Sequence, residues 1–227
     1  ENVVGTSIFS VGSRELPNFF RVVGSSCAIV YALDGKAAQA LVNDDKAIEH
    51  DPKAARKVFE QLQPDELKFL GSGFIYGQNG RFVTCAHLFD GRYSEAYYVL
   101  RFGNEDWRLA KLIGISTGTD VAVLQLLGAL KDQPGLTAYP SALVLRSNQE
   151  LPKQGESVAV CGCTQFGTET VGLVGVVSQP HQVLRGLTED IPIRFVQVAV
   201  PTLPGMSGSP VLDERGNVVG MLAKKFE

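Results

Sequence analysis

From residue 27 onward, the apolar positions fall into short β-branched or aromatic runs bounded by Gly, Pro, Asn, Asp or Ser. That punctuation is the signature of strands joined by turns rather than of helices. Runs at 27–33, 73–76, 81–84, 96–102, 107–113 and 121–126 predict a first series of strands, enough to close one barrel. A stretch rich in Pro, Gly and Ser follows at 131–141. Beyond it a second series is predicted at 157–161, 170–178, 194–200, 210–212 and 218–222. Two successive β units of comparable length make a mainly β chain of two packed barrels. The first unit is expected within 1–135 and the second within 141–227.

One segment breaks this pattern. Residues 34–70 are rich in Ala and in charge, with Ala54, Val58, Phe59 and Leu62 at helical spacing and Ala37, Ala40, Leu41 and Ala47 following it less regularly. They predict a helical insertion between two strands, most simply a solvated decoration.

Composition narrows the function classes. At 227 residues and 44% hydrophobic content the chain can bury a sizeable core without disulfides or metals. With 20% charged residues and a formal net charge of −3, it lacks the basic footprint that phosphate backbones require, so no nucleic-acid partner is expected. No apolar run reaches the roughly 18–20 residues that cross a bilayer, which predicts a soluble protein without a membrane span. The sequence opens on Glu1 with no leader pattern, the expectation being a processed or trimmed piece whose compartment is unknown. Cys27, Cys85, Cys161 and Cys163 have no zinc-site spacing and read as free thiols. Cys161 and Cys163 would share one face of a strand as small core residues.

The chain has 3 histidines, which limits the candidates for a base working near neutral pH. His50 lies between Glu49 and Asp51 in the helical insertion, and His181 follows Pro180 in a loop-like stretch. Neither has metal-ligand spacing, so no metal and no cofactor are expected. His87 ends the strand-like run that starts at Arg81, Asp120 stands at the mouth of the strand at 121–126, and Ser207 sits at the apex of the Gly-rich loop 204–210. Singly, each has an ordinary structural reading as a strand end, a turn cap or a turn. Together they supply what a hydroxyl nucleophile needs: a base within reach and a carboxylate to orient that base. Their order, His then Asp then Ser, differs from that of the α/β-hydrolases, and Ser209 stands where a G-x-S-x-G elbow has its second Gly. Small residues around Ser207 would let backbone N–H groups approach a developing oxyanion.

The blocks at 71–75, 82–87, 118–123 and 205–210 resemble the signature blocks of the trypsin-like (chymotrypsin-fold) serine peptidases and share the wording of the HtrA/Deg branch. Residues 158–162, 170–178 and 216–220 resemble that branch as well, so the likeness covers about 22–33 and 71–225. It implies two packed six-stranded antiparallel β-barrels with the catalytic site between them. His87 would be the general base, Asp120 the orienting acid and Ser207 the nucleophile. The backbone N–H groups of Gly205 and Ser207 would form the oxyanion hole. The implied activity is that of a serine endopeptidase cutting polypeptides through an acyl-enzyme, in protein quality control. The substrate-binding wall would come from Leu222, Ala223 and Lys224 with the loop 201–203. No acidic residue matches the position that selects Arg or Lys, so small or medium apolar side chains are expected before the cut. By the same analogy, 34–70 occupies the place of a regulatory loop, and Phe9, Phe19 and Phe20 lie where relatives build homotrimers. Three departures stand out: Met206 replaces an aspartate of digestive relatives, Leu88 replaces a half-cystine, and Ser209 replaces a glycine. The alternative they leave open is a catalytically silent or resting peptidase-fold module that binds proteins as a scaffold.

Overall fold

The structure, a computed structural model, describes residues 14–33, 56–57, 59–60, 62, 64–77, 79–89, 97–103, 106–129, 141–147, 151–165, 167, 169–184 and 193–223. Its first strands are β1 (Cys27–Leu33), β2 (Leu67–Tyr76), β3 (Arg81–Cys85), β4 (Tyr97–Phe102), β5 (Asp106–Ser116) and β6 (Val121–Ala129). They close into a barrel in the order β1-β2-β3-β6-β5-β4, with β4 pairing back onto β1. Closure leaves this half of the chain no unpaired edge. Alternation decides which side chains fill it. In β6, Ala122, Leu124 and Leu126 are buried while their neighbours are half-exposed, as period-2 strands require. Val30, Ile75, Phe82, Leu100 and Leu124 form the centre of this core. Edge-to-face ring pairs, Phe82 with Phe102 and Phe89 with Tyr98, fill it further.

The second series comprises β7 (Ser157–Cys163), β8 (Thr170–Leu184), β9 (Ile193–Ala199), β10 (Pro210–Leu212) and β11 (Val218–Met221). Among the described residues these make a 5-stranded sheet in the order β11-β10-β7-β8-β9, a half-barrel where a closed barrel of six strands was expected. Residues 141–147 stitch the two halves together. The Leu143 N–H donates to the Ile75 carbonyl of β2, and the Val218 N–H of β11 donates to the Val144 carbonyl.

Two expectations need correction. The insertion was taken to run to residue 70, but β2 begins at Leu67 and pairs Leu67 with Leu33 and Lys68 with Ala32. Leu67 and Phe69 are half-buried on the side of Leu33 and Tyr31 and Lys68 is exposed, a period-2 signal masked by the charged sequence before it. Nor is the described end of the insertion a solvated decoration. Residues 56, 57, 59 and 60 are helical, and Phe59 and Leu62 pack on a cluster of Leu33, Tyr97, Val99 and Leu109. The ring of Phe59 lies 5.4 Å from that of Trp107. Residues 34–55, which hold His50, and the 130–140 stretch between the two units lie outside the described residues.

The segment before β1 forms helix α1 (Leu16–Gly24), which the sequence reading left without an element. Pro17 opens it, where a missing N–H costs nothing, and Leu16, Phe19, Phe20 and Val23 recur on one face. Phe19 and Phe20, the pair linked to trimer building, meet edge to face at 5.5 Å and pack onto a cluster of their own chain that includes Cys27, Phe74 and Cys161. Phe9 lies outside the described residues. All four cysteines are unpaired and buried. No helix among the described residues is long and apolar enough to cross a membrane.

Helix α1 is seated through Gly172 of β8, where an added Cβ would lie 2.4 Å from the Phe20 ring. Gly172→Ala is therefore expected to destabilise the chain by about 1–3 kcal/mol through overpacking. The double variant with Phe20→Ala should lose less than the sum of the two single changes, because the clash is gone. Urea unfolding of the four proteins measures both.

Candidate active site

Register brings two of the candidate residues together. β3 and β6 are antiparallel neighbours with Cys85 opposite Val121, so the residues leaving β3 and those entering β6 meet at one rim of the barrel. The Ala86 N–H donates to the Asp120 carbonyl at 3.1 Å, extending the ladder past both strand ends. The chain then makes a 3-10 turn over Ala86–Phe89, in which Ala86 and Phe89 are buried. Those two anchors turn His87 outward.

Asp120 closes the turn 117–120 with φ of 55°, in the left-handed region where Asp is one of the better-tolerated residues. That conformation aims its carboxylate back at His87. Oδ1 accepts the His87 backbone N–H at 2.8 Å, and Oδ2 lies 2.8 Å from Nδ1. An ionised carboxylate only accepts, so Nδ1 carries the proton of this contact. The histidine side chain is 45% exposed and the aspartate side chain 10%. Burial pushes the Asp120 carboxyl upward, but the hydrogen bonds from the ring and backbone of His87 together outweigh it and hold the group below its ordinary value.

Ser207 comes from the other half of the chain, in the loop that precedes β10. Gly205 and Gly208 have φ of 97° and 91°, so the loop reverses twice within a few residues. At Gly208 an added Cβ would lie 1.9 Å from the Ser72 carbonyl oxygen. Met206 is fully buried among Val158, Val160, Val177 and Val211, and its Sδ accepts the Leu203 N–H at 3.5 Å. An apolar anchor thus stands where digestive relatives use a charged one. The Pro204 carbonyl accepts the Gln165 N–H at 3.1 Å, and the Gly208 N–H donates to the Leu222 carbonyl at 2.8 Å.

Ser72 on β2, which sequence reasoning passed over, ties this loop to the barrel. Its backbone N–H donates to the Ser207 carbonyl at 2.8 Å, and its own carbonyl accepts the Thr84 hydroxyl at 2.6 Å. Its hydroxyl accepts the Cys163 N–H at 2.9 Å and donates to the Gly205 carbonyl at 2.8 Å. Ser207 and Gly208 thereby lie against the end of β3, from which His87 emerges. Only the Gly-Ser-Gly block at 71–73 marked the position in the sequence.

The remaining candidates are distributed unevenly. Leu222 is half-buried against the Met206 cluster, and its N–H donates to the Ser209 carbonyl at 2.8 Å. Ala223 follows it, half-buried, while Lys224 lies outside the described residues. The backbone of His181 lies in β8 rather than in the expected loop. Ser209 is buried, with no partner for its hydroxyl among the described residues, and is seated over Gly162, where an added Cβ would lie 1.7 Å from its Oγ.

Two outcomes are expected from this geometry. Ser72→Ala leaves the buried Cys163 N–H without its acceptor and should cost about 1–3 kcal/mol in urea unfolding. For Asp120, the depressed carboxyl contributes stability that is present above the ordinary carboxyl range and is lost as pH falls through the folded value. The urea midpoints of wild type and Asp120→Asn should therefore differ most near neutral pH and converge in acid.

Comparison with known proteins adds an independent line. A family model described as a trypsin-like peptidase domain matches residues 71–221. A probable periplasmic serine endoprotease, DegP-like, from Halomonas elongata is 34% identical over 166 residues, 73% of this chain and 31% of that protein. A relative of the same description from Pseudomonas fluorescens is 30% identical over 237 residues, 96% of this chain and 45% of that one. The chain thus spans less than half the length of either relative. Among solved structures, the HtrA-type protease AlgW with decapeptide aligns with a TM-score of 0.64 at 19% identity, over 93% of this chain and 59% of AlgW. That likeness shows a shared fold, of a closed barrel packed with a half-barrel. The chain belongs to the trypsin-like peptidase family, on its HtrA/Deg branch.

Proposed function

We propose that this chain is a serine endopeptidase that cuts polypeptides with His87, Asp120 and Ser207. The observation that carries the reading is the His87–Asp120 pair, joined through both carboxylate oxygens at the rim where the Ser207 loop packs. Asp120 holds the proton on Nδ1 and so keeps Nε2 as the acceptor. As Ser207 Oγ attacks the scissile carbonyl, Nε2 takes its proton and then gives it to the leaving amine. The N–H groups of Gly205 and Ser207 hold the negative charge that develops on the carbonyl oxygen. Water then repeats the cycle on the acyl-enzyme, with His87 again as base.

The substrate side rests on Leu222 and Ala223, with Lys224 next in the chain. An apolar wall built on Leu222 and the Met206 cluster favours small or medium apolar side chains, at roughly 1–3 kcal/mol per methylene. Such side chains are buried in folded proteins and exposed in damaged ones, which suits a role in protein quality control. The names of the relatives suggest the periplasm as the setting.

Labelling with a fluorophosphonate probe at neutral pH tests the reading. Wild type should label, Ser207→Ala should not, and Asp120→Asn should slow labelling by about 10⁴-fold because the wrong tautomer is then favoured. His87→Ala should be comparably slow. A folded wild-type chain that fails to label, or labelling that survives Ser207→Ala, would overturn it and move weight to the silent scaffold.

A further inference from the structure

We propose that the rim holding His87 and Asp120 is also a binding site for a borderline-soft divalent cation of the zinc class, with Cys85 as its third ligand. The inference rests on the reading of His87 as the base and adds to it a way of switching the site off. One ligand atom each from Cys85, His87 and Asp120 lies within 4.8 Å of the other two. A tetrahedral zinc ion with bonds of about 2.0–2.3 Å holds its ligand atoms roughly 3.2–3.8 Å apart, so Nδ1 and Oδ2, 2.8 Å apart, would open by roughly half an ångström, and the Cys85 sulfur, within 4.8 Å of both, would approach by at most about 1–1.6 Å. Sulfur, imidazole nitrogen and carboxylate oxygen form a donor set that suits zinc and leaves a fourth position for water.

The parts around the three ligands fit this use. Oδ1 of Asp120 is pinned by the His87 backbone N–H, which leaves Oδ2 and Nδ1 as the pair an ion would enter. The Cys85 Sγ points to the Leu222 carbonyl at 3.4 Å, a weak contact that is readily given up. Burial, and then the charge of Asp120, hold the thiol protonated above its ordinary range. A dication removes both obstacles, since one thiolate and one carboxylate neutralise it. The sequence hid the site because Cys-x-His followed by a distant Asp is not a recognised zinc spacing.

The consequence follows from tautomers. An ion on Nδ1 displaces that proton to solvent, and the neutral ring must then carry a proton on Nε2. A protonated Nε2 cannot accept the Ser207 proton, so the bound state is inactive. The ring loses one proton and gains one, while the Cys85 thiol releases one, so binding liberates one proton per ion.

Zinc and cobalt(II) titrations of the full chain test the proposal. Zinc should slow fluorophosphonate labelling at least tenfold, and a chelator should restore it. Cys85→Ala and the more conservative Cys85→Ser, each referred to its own metal-free rate, should lose at least tenfold of that sensitivity. Cobalt(II) should give wild type a near-ultraviolet thiolate charge-transfer band that both variants lack. No band in wild type, a band that persists in folded Cys85→Ser, or zinc inhibition unchanged in both variants would overturn the site. A chain that never labels but shows the Cys85-dependent band would instead fail the peptidase reading while keeping the metal site.

Discussion

The meeting of the Ser207 loop with the barrel at the candidate site depends on one residue that performs no chemistry in the proposed reaction. Ser72 uses its N–H, its carbonyl and its hydroxyl to contact Ser207, Thr84, Cys163 and Gly205 at 2.6–2.9 Å. Two of those partners flank the site from the half-barrel loop and one lies on the barrel strand that delivers His87. Ser207 and His87 are carried by different halves of the molecule, so their relative position is only as good as the contact between the halves. Ser72 supplies that contact with short, buried hydrogen bonds, whose loss would cost more than that of exposed ones. Gly71 and Gly73 on either side of it keep β2 bare, and added Cβ atoms there would lie 2.7 Å from Leu88 and 2.3 Å from Phe82.

The His87–Asp120 pair follows a different logic, because both residues belong to the barrel and need no second half. A single register, Cys85 opposite Val121, fixes their backbones, and a left-handed Asp120 aims the carboxylate. Left-handed backbone costs a non-glycine residue on the order of 1–2 kcal/mol. The ladder bond from Ala86 and the two bonds from His87 offset it. The His87–Asp120 pair therefore lies wholly within the barrel, whereas Ser207 is placed against it by the half-barrel through Ser72 and residues 141–147.

Sequence patterns carried the fold where alternation was clean. The bounds of β1 and β10 were legible to the residue, and the remaining strands to within a few residues except where β2 and β8 ran longer. The start of β2 was hidden by the charged stretch before it, and α1 by its shortness, although Pro17 and the Leu16, Phe19, Phe20, Val23 face were visible signals. His87, Asp120 and Ser207 stood out because local motifs surround them. Ser72 did not, since its partners lie 91 and 133 positions away and nothing in the neighbouring residues encodes them. The same blindness applies to Cys85, whose relation to Asp120 exists only through the pairing of β3 with β6.

The departures from digestive relatives acquire a physical meaning in this frame. A charged anchor under the nucleophile makes the loop depend on a partner that must be created and kept ionised. Met206 instead sits fully buried among four valines, where burial contributes about 1.5–3 kcal/mol and carries no titrating group. The shape of the loop is then tied to the same apolar packing that forms the half-barrel. Ser209, two residues beyond Ser207, is buried, and among the described residues its hydroxyl meets no hydrogen-bond partner. Gly162 makes room for it, since an added Cβ there would lie 1.7 Å from its Oγ. The loop is thus held by Met206 from below and by Ser72 from the side.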